Sequence, residues 1–441
     1  MTQQIRAIEK ERSAPSTSIS EASGEPDWFR SRRDEAWQLA WTMPVPAMNQ
    51  EDWRRTDLSD LDLDSFLQPP PVTDGSDVLP TALQASMAGG SYAGTSIQVG
   101  SRIVRRETSP ALAESGVIFT DLHTAAREHP ELIERYLMAE DGVRPDADKF
   151  TALHAALVAG GNLVHVPAGV RVEGTIKCTY WIEDPSAASF PHTLVVLGTD
   201  ATLSLVDEYI SETTDVPALA VPVTEAYLGR SAALSYVGVQ RWGQNTWNIS
   251  RQRFLFEEGA SASLLVVALG SRTTKAYVET IFNGAASHAS MKGLILGDNQ
   301  QHIDYQTLQL HAGVGTESDL DFRAALRGKA RSVWLGLCHI AKSGQRSNAN
   351  QSCHNLLLSR EAGAFPIPSL EIEANDVKCS HGTAVGQVDE GQVFYAMTRG
   401  IDRETAEKMI VDGFFEPLVA SIRAEGVREV LQGLLDQRLE Y

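Results

Sequence analysis

The sequence predicts a mainly β protein whose core is a β-helix (solenoid), flanked by α-helical regions at both ends. The first observation is that residues 161–388 contain short alternating apolar segments between Gly and Pro residues and almost no helical periodicity. The second is a repeat in which a glycine is followed at positions +5 and +7 by apolar residues, a pattern that begins at Gly198, Gly229, Gly259, Gly284 and Gly328. A glycine turn that leads into a strand with one apolar face is typical of one coil of a solenoid.

The repeat also limits the kind of solenoid. Successive glycines of the pattern are 31, 30, 25 and 44 residues apart, which excludes a strict short repeat and predicts paired strands in each coil with loop insertions. A two-sheet sandwich also contains many short alternating strands and remains the alternative. The β-helix is favoured because the region is long for one sandwich and no helix interrupts it.

The N-terminal part predicts a tail followed by helices. Residues 1–24 are rich in Ser, Thr and Glu, so we expect a disordered tail. Residues 25–160 are expected to be a helical region, with a first helix that ends before Pro44. The Pro-, Gly- and Ser-rich segment from Pro69 to Gly100 indicates a loop or a loosely packed connection.

Two more helices are expected before the solenoid. One spans about Thr120 to Met138, and the other begins near Asp146 and stops at the glycine pair that starts at Gly160. Their apolar positions are interpreted as ordinary core.

Residues 389–441 are again helical. Asp402 is a suitable N-cap for a helix with apolar residues at helical spacing, Pro417 is expected to interrupt it, and a final helix follows. From the residues alone, capping of the open solenoid end is favoured over a partner-binding face.

Composition excludes several classes of function. With 38 basic and 57 acidic residues the net charge is −19, which disfavours nucleic acid and anionic membranes as partners. The longest apolar run, 264–269, is too short to cross a bilayer, and we find no secretory signal. Four cysteines in 441 residues do not form a disulfide framework, so reduced thiols in a cytoplasmic protein are expected.

The familiar catalytic motifs are missing from the sequence. There is no phosphate-binding loop of the P-loop type, no G-x-S-x-G elbow, no C-x-x-C and no H-E-x-x-H. A solenoid enzyme acting on polysaccharide would need clustered acids, and Asp304, Asp319 and Asp321 are the nearest group. We expect these acids in a solvated loop.

Cys379 and His381 are the strongest candidate metal ligands. Residues i and i+2 of a strand face the same side, so a thiolate and an imidazole could share one soft metal ion. Two ligands do not complete a site, because zinc or iron takes four. In the adjacent pairs that begin at Cys338 and Cys353 the two side chains face opposite ways, and each cysteine is interpreted as a buried apolar residue.

Several segments resemble the SufB/SufD family of iron–sulfur cluster assembly scaffolds, and in particular its SufD-like members. The most specific is residues 379–390, CSHGTAVGQVDE, with Phe394-Tyr395 and Arg399-Gly400-Ile401 after it. Residues 25–28 (EPDW) and 51–58 (EDWRRTDL) resemble the N-terminal helical segment of SufD.

The resemblance implies a right-handed parallel β-helix with helical ends, in a non-catalytic scaffold subunit of a SufBCD complex. It implies that the chain pairs with a SufB-type scaffold and binds a SufC-type ATPase through residues 389–441, which replaces capping by docking as the expected role of these helices. The docking residues so implied are Phe394, Tyr395, Arg399, Gly400, Ile401, Met409, Ile410, Phe414 and Phe415.

The resemblance also implies a role for the metal-ligand candidates. His381 matches a histidine implicated in assembly of a transient iron–sulfur cluster at the partner interface, and Cys379 matches the neighbouring cysteine. No cofactor is expected to be bound stably by this chain alone, and participation of a flavin in the complex stays open. An autonomous metal-binding solenoid and a polysaccharide-acting enzyme are the competing interpretations.

Overall fold

The computed structural model describes residues 24–67, 79–87, 90–184, 186, 188–422 and 425–439. Nearly all of the predicted disordered tail lies outside these residues. The N-terminal elements are α1 (Asp27–Thr42), a 3-10 turn (Glu51–Trp53), α2 (Leu63–Phe66), α3 (Thr81–Met87), β1 (Gly94–Val99), β2 (Arg102–Thr108), α4 (Pro110–Glu114), β3 (Ile118–Asp121), α5 (Leu122–Glu128), α6 (Pro130–Tyr136) and α7 (Lys149–Leu157).

A long series of strands follows. They are β4 (Asn162–Val166), β5 (Arg171–Trp181), β6 (Ala188–Ser189), β7 (His192–Leu197), β8 (Thr202–Ile210), β9 (Ala218–Ala220), β10 (Val223–Leu228), β11 (Ala233–Arg241), β12 (Thr246–Phe256), β13 (Ser261–Ala268), β14 (Thr273–Phe282), β15 (His288–Gly297), β16 (His302–His311), β17 (Glu317–Leu326), β18 (Arg331–Ile340), β19 (Asn348–Leu357), β20 (Gly363–Ile372) and β21 (Lys378–Gln387). The chain ends in α8 (Glu390–Met397), α9 (Arg403–Val419) and α10 (Glu425–Leu439).

The strands form a parallel solenoid of about eight turns, which confirms the predicted β-helix over the sandwich. Sheet A has the strand order β2-β1-β5-β8-β11-β13-β15-β17-β19-β21, and sheet B has the order β20-β18-β16-β14-β12-β10-β7-β4-β3. The chain alternates between the two sheets. Within the described residues only β1/β2 and β3/β4 pair antiparallel.

The register of sheet A explains the irregular glycine spacing. One interior position repeats along the sheet in the ladder Leu205–Tyr236–Leu264–Met291–Leu320–Gln351–His381. Its steps, obtained by subtracting residue numbers, are 31, 28, 27, 29, 31 and 30, so each coil takes about 30 residues. Gly328 instead leads into β18 of sheet B, so the 44-residue interval did not measure a coil.

A hydroxyl-rich cluster lies inside the early coils. The carboxylate of Asp207, which is fully buried, accepts hydrogen bonds from Thr193 (3.0 Å), Tyr236 (3.1 Å) and Thr224 (3.3 Å). Burial raises the pKa of Asp207 to about 7, even though these hydroxyl groups favour the ionised form. The core therefore contains a carboxyl group that titrates near neutral pH.

Most N-terminal helices (α1, α2, α5, α6 and α7) cover the outer face of sheet B, whereas α3 packs against sheet A. Trp53 stacks on Phe150 of α7 at 5.8 Å between ring centroids and also contacts Tyr277 of β14. Beneath it, the buried Lys275 ammonium forms an ion pair with Asp304 at 2.8 Å. The 51–58 segment is thus held on the sheet by aromatic packing over a buried charge pair.

The C-terminal helices cover the outer face of sheet A. Val411, Phe415 and Leu418 of α9 and Leu431 of α10 form one apolar cluster with valines and leucines of β8 to β15 and with Ala325 of β17. The capping role that the residues alone favoured is therefore wrong. An amphipathic helix pair buries more apolar surface on the side of a sheet than on the rim of its last coil.

Three local predictions also differ from the structure. The segment expected as one helix from Thr120 to Met138 is β3 followed by two helices, because a residue before proline avoids helical backbone and the chain turns at His129. Helix α9 continues through Pro417, which costs only one backbone hydrogen bond near its end while Leu418 stays buried.

The third difference concerns the segment from Pro69 to Gly100. Residues 68–78 and 88–89 lie outside the described part, but α3 and β1 fall within the segment, and β1 pairs in parallel with β5. The abundance of Gly and Ser concealed a strand that belongs to sheet A.

Candidate functional site

The solenoid ends at β20 and β21, which are the last strands of the two sheets. Among the described strands each has a neighbour on one side only, β18 and β19 respectively. No helix of the described chain covers this end, and the side chains of β21 are exposed except for that of Cys379, which is half-buried. The candidate site is this open end.

The free edge of β20 is poor in hydrogen-bond donors. Gly363 and Glu373 donate their N–H groups to Ala330 and Ile340 beside β18, so the odd-numbered amides of β20 face β18. The even-numbered amides therefore face the free edge, where Pro366 and Pro368 have no N–H. This edge is unsuited to adding another strand.

The free edge of β21 has all of its backbone N–H groups. Lys378 and Val388 donate to Ser347 and Leu357 beside β19, so the odd-numbered amides point away from the protein. These are the backbone groups of Cys379, His381, Thr383, Val385 and Gln387, and none is proline. A strand from another chain could pair here through a regular ladder.

His381 is the last rung of the interior ladder in sheet A. The rungs change from Leu320 to Gln351 and then to His381 as the solenoid reaches its end. Gln351 is 1% exposed and donates to the Gln309 oxygen at 2.7 Å, but its own side-chain oxygen has no partner among the described residues. Since Gln351 and His381 are in register, this oxygen lies on the same face as the imidazole and is available to an N–H group of His381.

Cys379 lies two residues earlier on the same face. It packs against Cys338, Ile340 and Ala349 in a small apolar cluster at the last corner of the solenoid. Burial raises the pKa of the Cys379 thiol, against the opposing effect of the Ala349 backbone, and raises that of Cys338 to about 12. Within this chain both thiols are protonated at neutral pH, so a metal ion must displace a proton to bind either sulfur.

The prediction that Cys338 and Cys353 are buried apolar residues agrees with their exposures of 0% and 2%. Cys379 and His381 thus offer a thiol and an exposed imidazole on one face of a strand whose edge is free. They can supply two ligands, and a four-coordinate ion bound there needs the others from elsewhere. Sequence reasoning missed Gln351, because only the strand register places it beside His381.

The predicted docking residues are divided between surface and core. Phe394, Tyr395 and Met409 are 68%, 63% and 54% exposed, and the Arg399 guanidinium lies 5.3 Å from the Tyr395 ring. Ile401 and Ile410 are half-buried. Gly400 has a φ of +86° in the α8–α9 turn, a conformation that favours glycine.

Phe414 and Phe415 do not share this exposed surface. Phe415 is 1% exposed and belongs to the core cluster on sheet A. Phe414 is half-buried, its ring lies 5.7 Å from the Arg323 guanidinium of β17, and Arg323 also donates to its carbonyl oxygen at 2.7 Å. These two residues attach α9 to the solenoid.

The three acids expected in a solvated loop lie in strands instead. Asp304 is fully buried in β16 with Lys275 as its partner, whereas Asp319 and Asp321 are on β17 in the other sheet. Asp321 pairs with Arg323 at 2.9 Å. The acids do not converge on one cleft.

The comparisons with known proteins agree with this architecture. Residues 180–414, more than half of the chain, match the model of the SUF system FeS cluster assembly, SufBD core domain. Residues 93–178 match the SufBD protein N-terminal region. In the described part of the chain, no helix has the length and apolar character that crossing a bilayer requires.

Similar proteins cover almost the whole chain. The iron-sulfur cluster assembly protein SufD of Bacillus subtilis is 29% identical over 427 residues, which are 96% of this chain and 97% of that protein. An iron-sulfur cluster assembly SufBD family protein of Staphylococcus epidermidis is 28% identical over 422 residues, 93% of this chain and 89% of that protein. The protein therefore belongs to the SufBD family of iron–sulfur cluster assembly proteins.

Proposed function

We propose that this chain is a SufD-type, non-catalytic scaffold subunit of a cytoplasmic SufBCD complex. In it, β21 pairs with a SufB-type sister scaffold, and the C-terminal helices bind a SufC-type ATPase. Cys379 and His381 supply part of a site for a transient iron–sulfur cluster that the sister completes. The observation that carries the proposal is the free edge of β21, where these two ligand candidates lie on the strand that a partner can join.

Backbone chemistry supports the pairing of the sister scaffold with β21. A partner strand along β21 would meet the backbone N–H and C=O groups of Cys379 and His381, so its own side chains would come within reach of the same metal ion. The proline-bearing edge of β20 disfavours the same pairing. A metal site that two chains share is expected to have too few ligands in one chain and, beside them, a strand edge that can pair with the other chain.

The exposed surface around Phe394 and Tyr395 supports a contact with the ATPase there. Tyr and Arg are enriched at the energetically important positions of protein interfaces, and Tyr395 and Arg399 both lie on this surface. Force applied there would reach the solenoid through α9, whose Phe415 is buried against sheet A. Nucleotide-dependent movement requires that the two nucleotide states of the ATPase bind the scaffold with different free energies.

The sister-scaffold contact is tested by a matched pair of proline substitutions. Val385→Pro removes an outward N–H from β21, and Ile372→Pro removes one from β20; both side chains are β-branched and about 45% exposed. After co-expression, Val385→Pro is expected to abolish co-purification of the sister scaffold, whereas Ile372→Pro should retain it. Equal retention in both variants would contradict pairing through β21.

The ATPase contact is tested by Phe394→Asp, with Val104→Asp as the control, because Val104 is exposed on the distant β2. Only Phe394→Asp should lose the ATPase. Deletion of the C-terminal region would be a poor test, because α9 and α10 cover apolar residues of sheet A.

The cluster role is tested by His381→Ala in the reconstituted complex, where unchanged cluster formation would exclude a ligand role. Anaerobic reconstitution also separates the alternative of an autonomous metal-binding protein. The scaffold proposal expects a cluster only when the sister is present, whereas autonomy expects a stable one in the isolated chain. The polysaccharide-acting enzyme has no support from the separated acids.

A further inference from the structure

A group of metal-binding side chains lies on the outer side of the last corner of the solenoid. His339 of β18 and Glu371 of β20 are register partners on adjacent strands, and Glu373 follows two residues later. One ligand atom from each lies within 4.8 Å of the other two. Their side chains point out of the solenoid, since the alternate residue Cys338 is buried inside it.

The distances suit a first-row metal ion. His339 Nε2 and Glu373 Oε1 are 3.3 Å apart. Two ligand atoms at about 2.1 Å from one ion are separated by about 3.0 Å at a right angle and about 3.4 Å in a tetrahedron. The Glu371 carboxylate is exposed, so a side-chain rotation can bring it to the same centre.

The charge at the corner is a second, independent observation. Two exposed carboxylates lie close together, and no Lys or Arg of the described chain forms an ion pair with Glu371 or Glu373. Some other exposed acids in strands do have such a partner; Glu107, for example, pairs with Arg105 at 2.6 Å. Bringing like charges together is unfavourable unless a cation joins them.

We propose that His339, Glu371 and Glu373 form a binding site for a divalent first-row metal ion, which in the proposed function is ferrous iron. Imidazole and carboxylate ligands without a thiolate suit Fe²⁺, Mn²⁺ or Zn²⁺, and three protein ligands leave coordination positions open. The metal keeps its oxidation state on binding, and water leaves as the protein ligands enter.

The location relates this site to the cluster ligands. Cys338 and Cys379 lie inside the same corner, while the His339 group lies outside it. An ion held by nitrogen and oxygen ligands with open positions can exchange to softer thiolate ligands nearby. The site therefore acts as a place where iron is held before it reaches Cys379 and His381, and this role rests on the proposed function.

The test is a titration of the full chain with Mn²⁺, in which electron paramagnetic resonance measures the free ion. We expect one ion to bind per chain, and each of His339→Asn, Glu371→Gln and Glu373→Gln to weaken binding at least tenfold. The matched control is His288→Asn with Glu317→Gln, because these exposed residues are also register partners on adjacent strands. This control should bind Mn²⁺ like the wild type, and so should Cys379→Ser with His381→Ala.

Unchanged Mn²⁺ binding in the three variants, or no binding by the wild type, would overturn the site. Fe²⁺ added without oxygen should displace Mn²⁺, and failure to compete would overturn the assignment to iron. Since this titration needs no partner, its outcome is separate from the proposed function: a chain that binds its sister and the ATPase but not Mn²⁺ refutes the metal site alone.

Discussion

Replacing Asp207 by Asn should stabilise the protein, and the gain should grow with pH. The carboxyl has an ordinary pKa of 3.8 when unfolded and about 7 when folded, because it is buried. A raised folded pKa in an acid means that the native state holds the proton more tightly, so stability falls as pH rises from 3.8 through about 7. The penalty is complete above pH 7 and absent below pH 3.8.

The magnitude follows from the two pKa values. A shift of about 3 pKa units at 1.36 kcal/mol each gives a cost of about 4 kcal/mol at pH 8. At pH 5.5 the pH is only about 1.7 units above the unfolded pKa, so the cost is about 2 kcal/mol. Asn has nearly the same shape and remains neutral, and the hydroxyls of Thr224 and Tyr236 can accept from its amide as well as donate.

The assay is urea denaturation of wild type and Asp207→Asn at pH 5.5 and 8, comparing free energies of unfolding. The difference between the two proteins should increase by about 2 kcal/mol between these pH values. The difference between the two proteins is more informative than the pH profile of the wild type alone. Burial lowers the pKa of His311 to about 4, so this residue destabilises the wild-type fold as pH falls below 6.5 and partly masks the effect of Asp207.

Asp298→Asn is the control of opposite sign. Although burial opposes it, Arg327 and the Asn299 backbone lower the pKa of Asp298, so its substitution should destabilise the protein at both pH values. A pH-independent difference for Asp207→Asn would refute the inference that its carboxyl ionises in the native core.

The remaining predictions concern the two covered faces and the free edge. Phe415→Ala should lower the free energy of unfolding by about 3–5 kcal/mol, measured by denaturation, whereas Phe394→Ala should change it by less than about 0.5 kcal/mol because its side chain is exposed. Lys275→Met should cost about 3–5 kcal/mol, because it leaves a buried carboxylate without its partner; a loss below about 1 kcal/mol would show that the pair is not buried. Replacing Pro366 and Pro368 together by Val should restore two donors on the free edge of β20 and cause self-association in sedimentation experiments, and a variant that stays monomeric would contradict the blocking role.

The solenoid was predictable because its inward positions obey one strict rule. Every coil must fill the same narrow interior, so apolar residues such as Leu205 and Leu264 recur after turns, and the alternation is visible without a structure. The position of the terminal helices was not predictable in the same way. The stripe that includes Val411 and Leu431 shows that α9 and α10 bury one face, but it does not specify whether that face covers a rim or a sheet.

Some ligands of the candidate sites could be predicted from the sequence, and others could not. Cys379 and His381 are two residues apart, so strand periodicity alone joins them. His339 and Glu371 are 32 residues apart, and only the coil length makes them neighbours. Two glycine intervals, of 31 and 30 residues, match the coil length, but the intervals of 25 and 44 residues do not, so the glycine pattern alone did not pair residues one coil apart.

The open end has to satisfy opposite requirements, since an unpaired strand that can accept a partner can also accept a copy of itself. Proteins limit this hazard with prolines, charges and short edges. Here each strand meets one requirement. β20 resists pairing, because it has Pro366 and Pro368 on its free edge and acidic side chains near its end, while β21 can accept a partner, because it keeps every outward amide. In a fully overlapping symmetric contact between two copies the β21 edges would run antiparallel, so Cys379 and His381 near the start of one strand would lie opposite the end of the other, and the two ligand pairs would stay apart. In the proposed function, a different partner with ligands that this chain lacks would complete the site at the same edge, which would explain why the ligand candidates and the edge with all its outward amides lie on one strand.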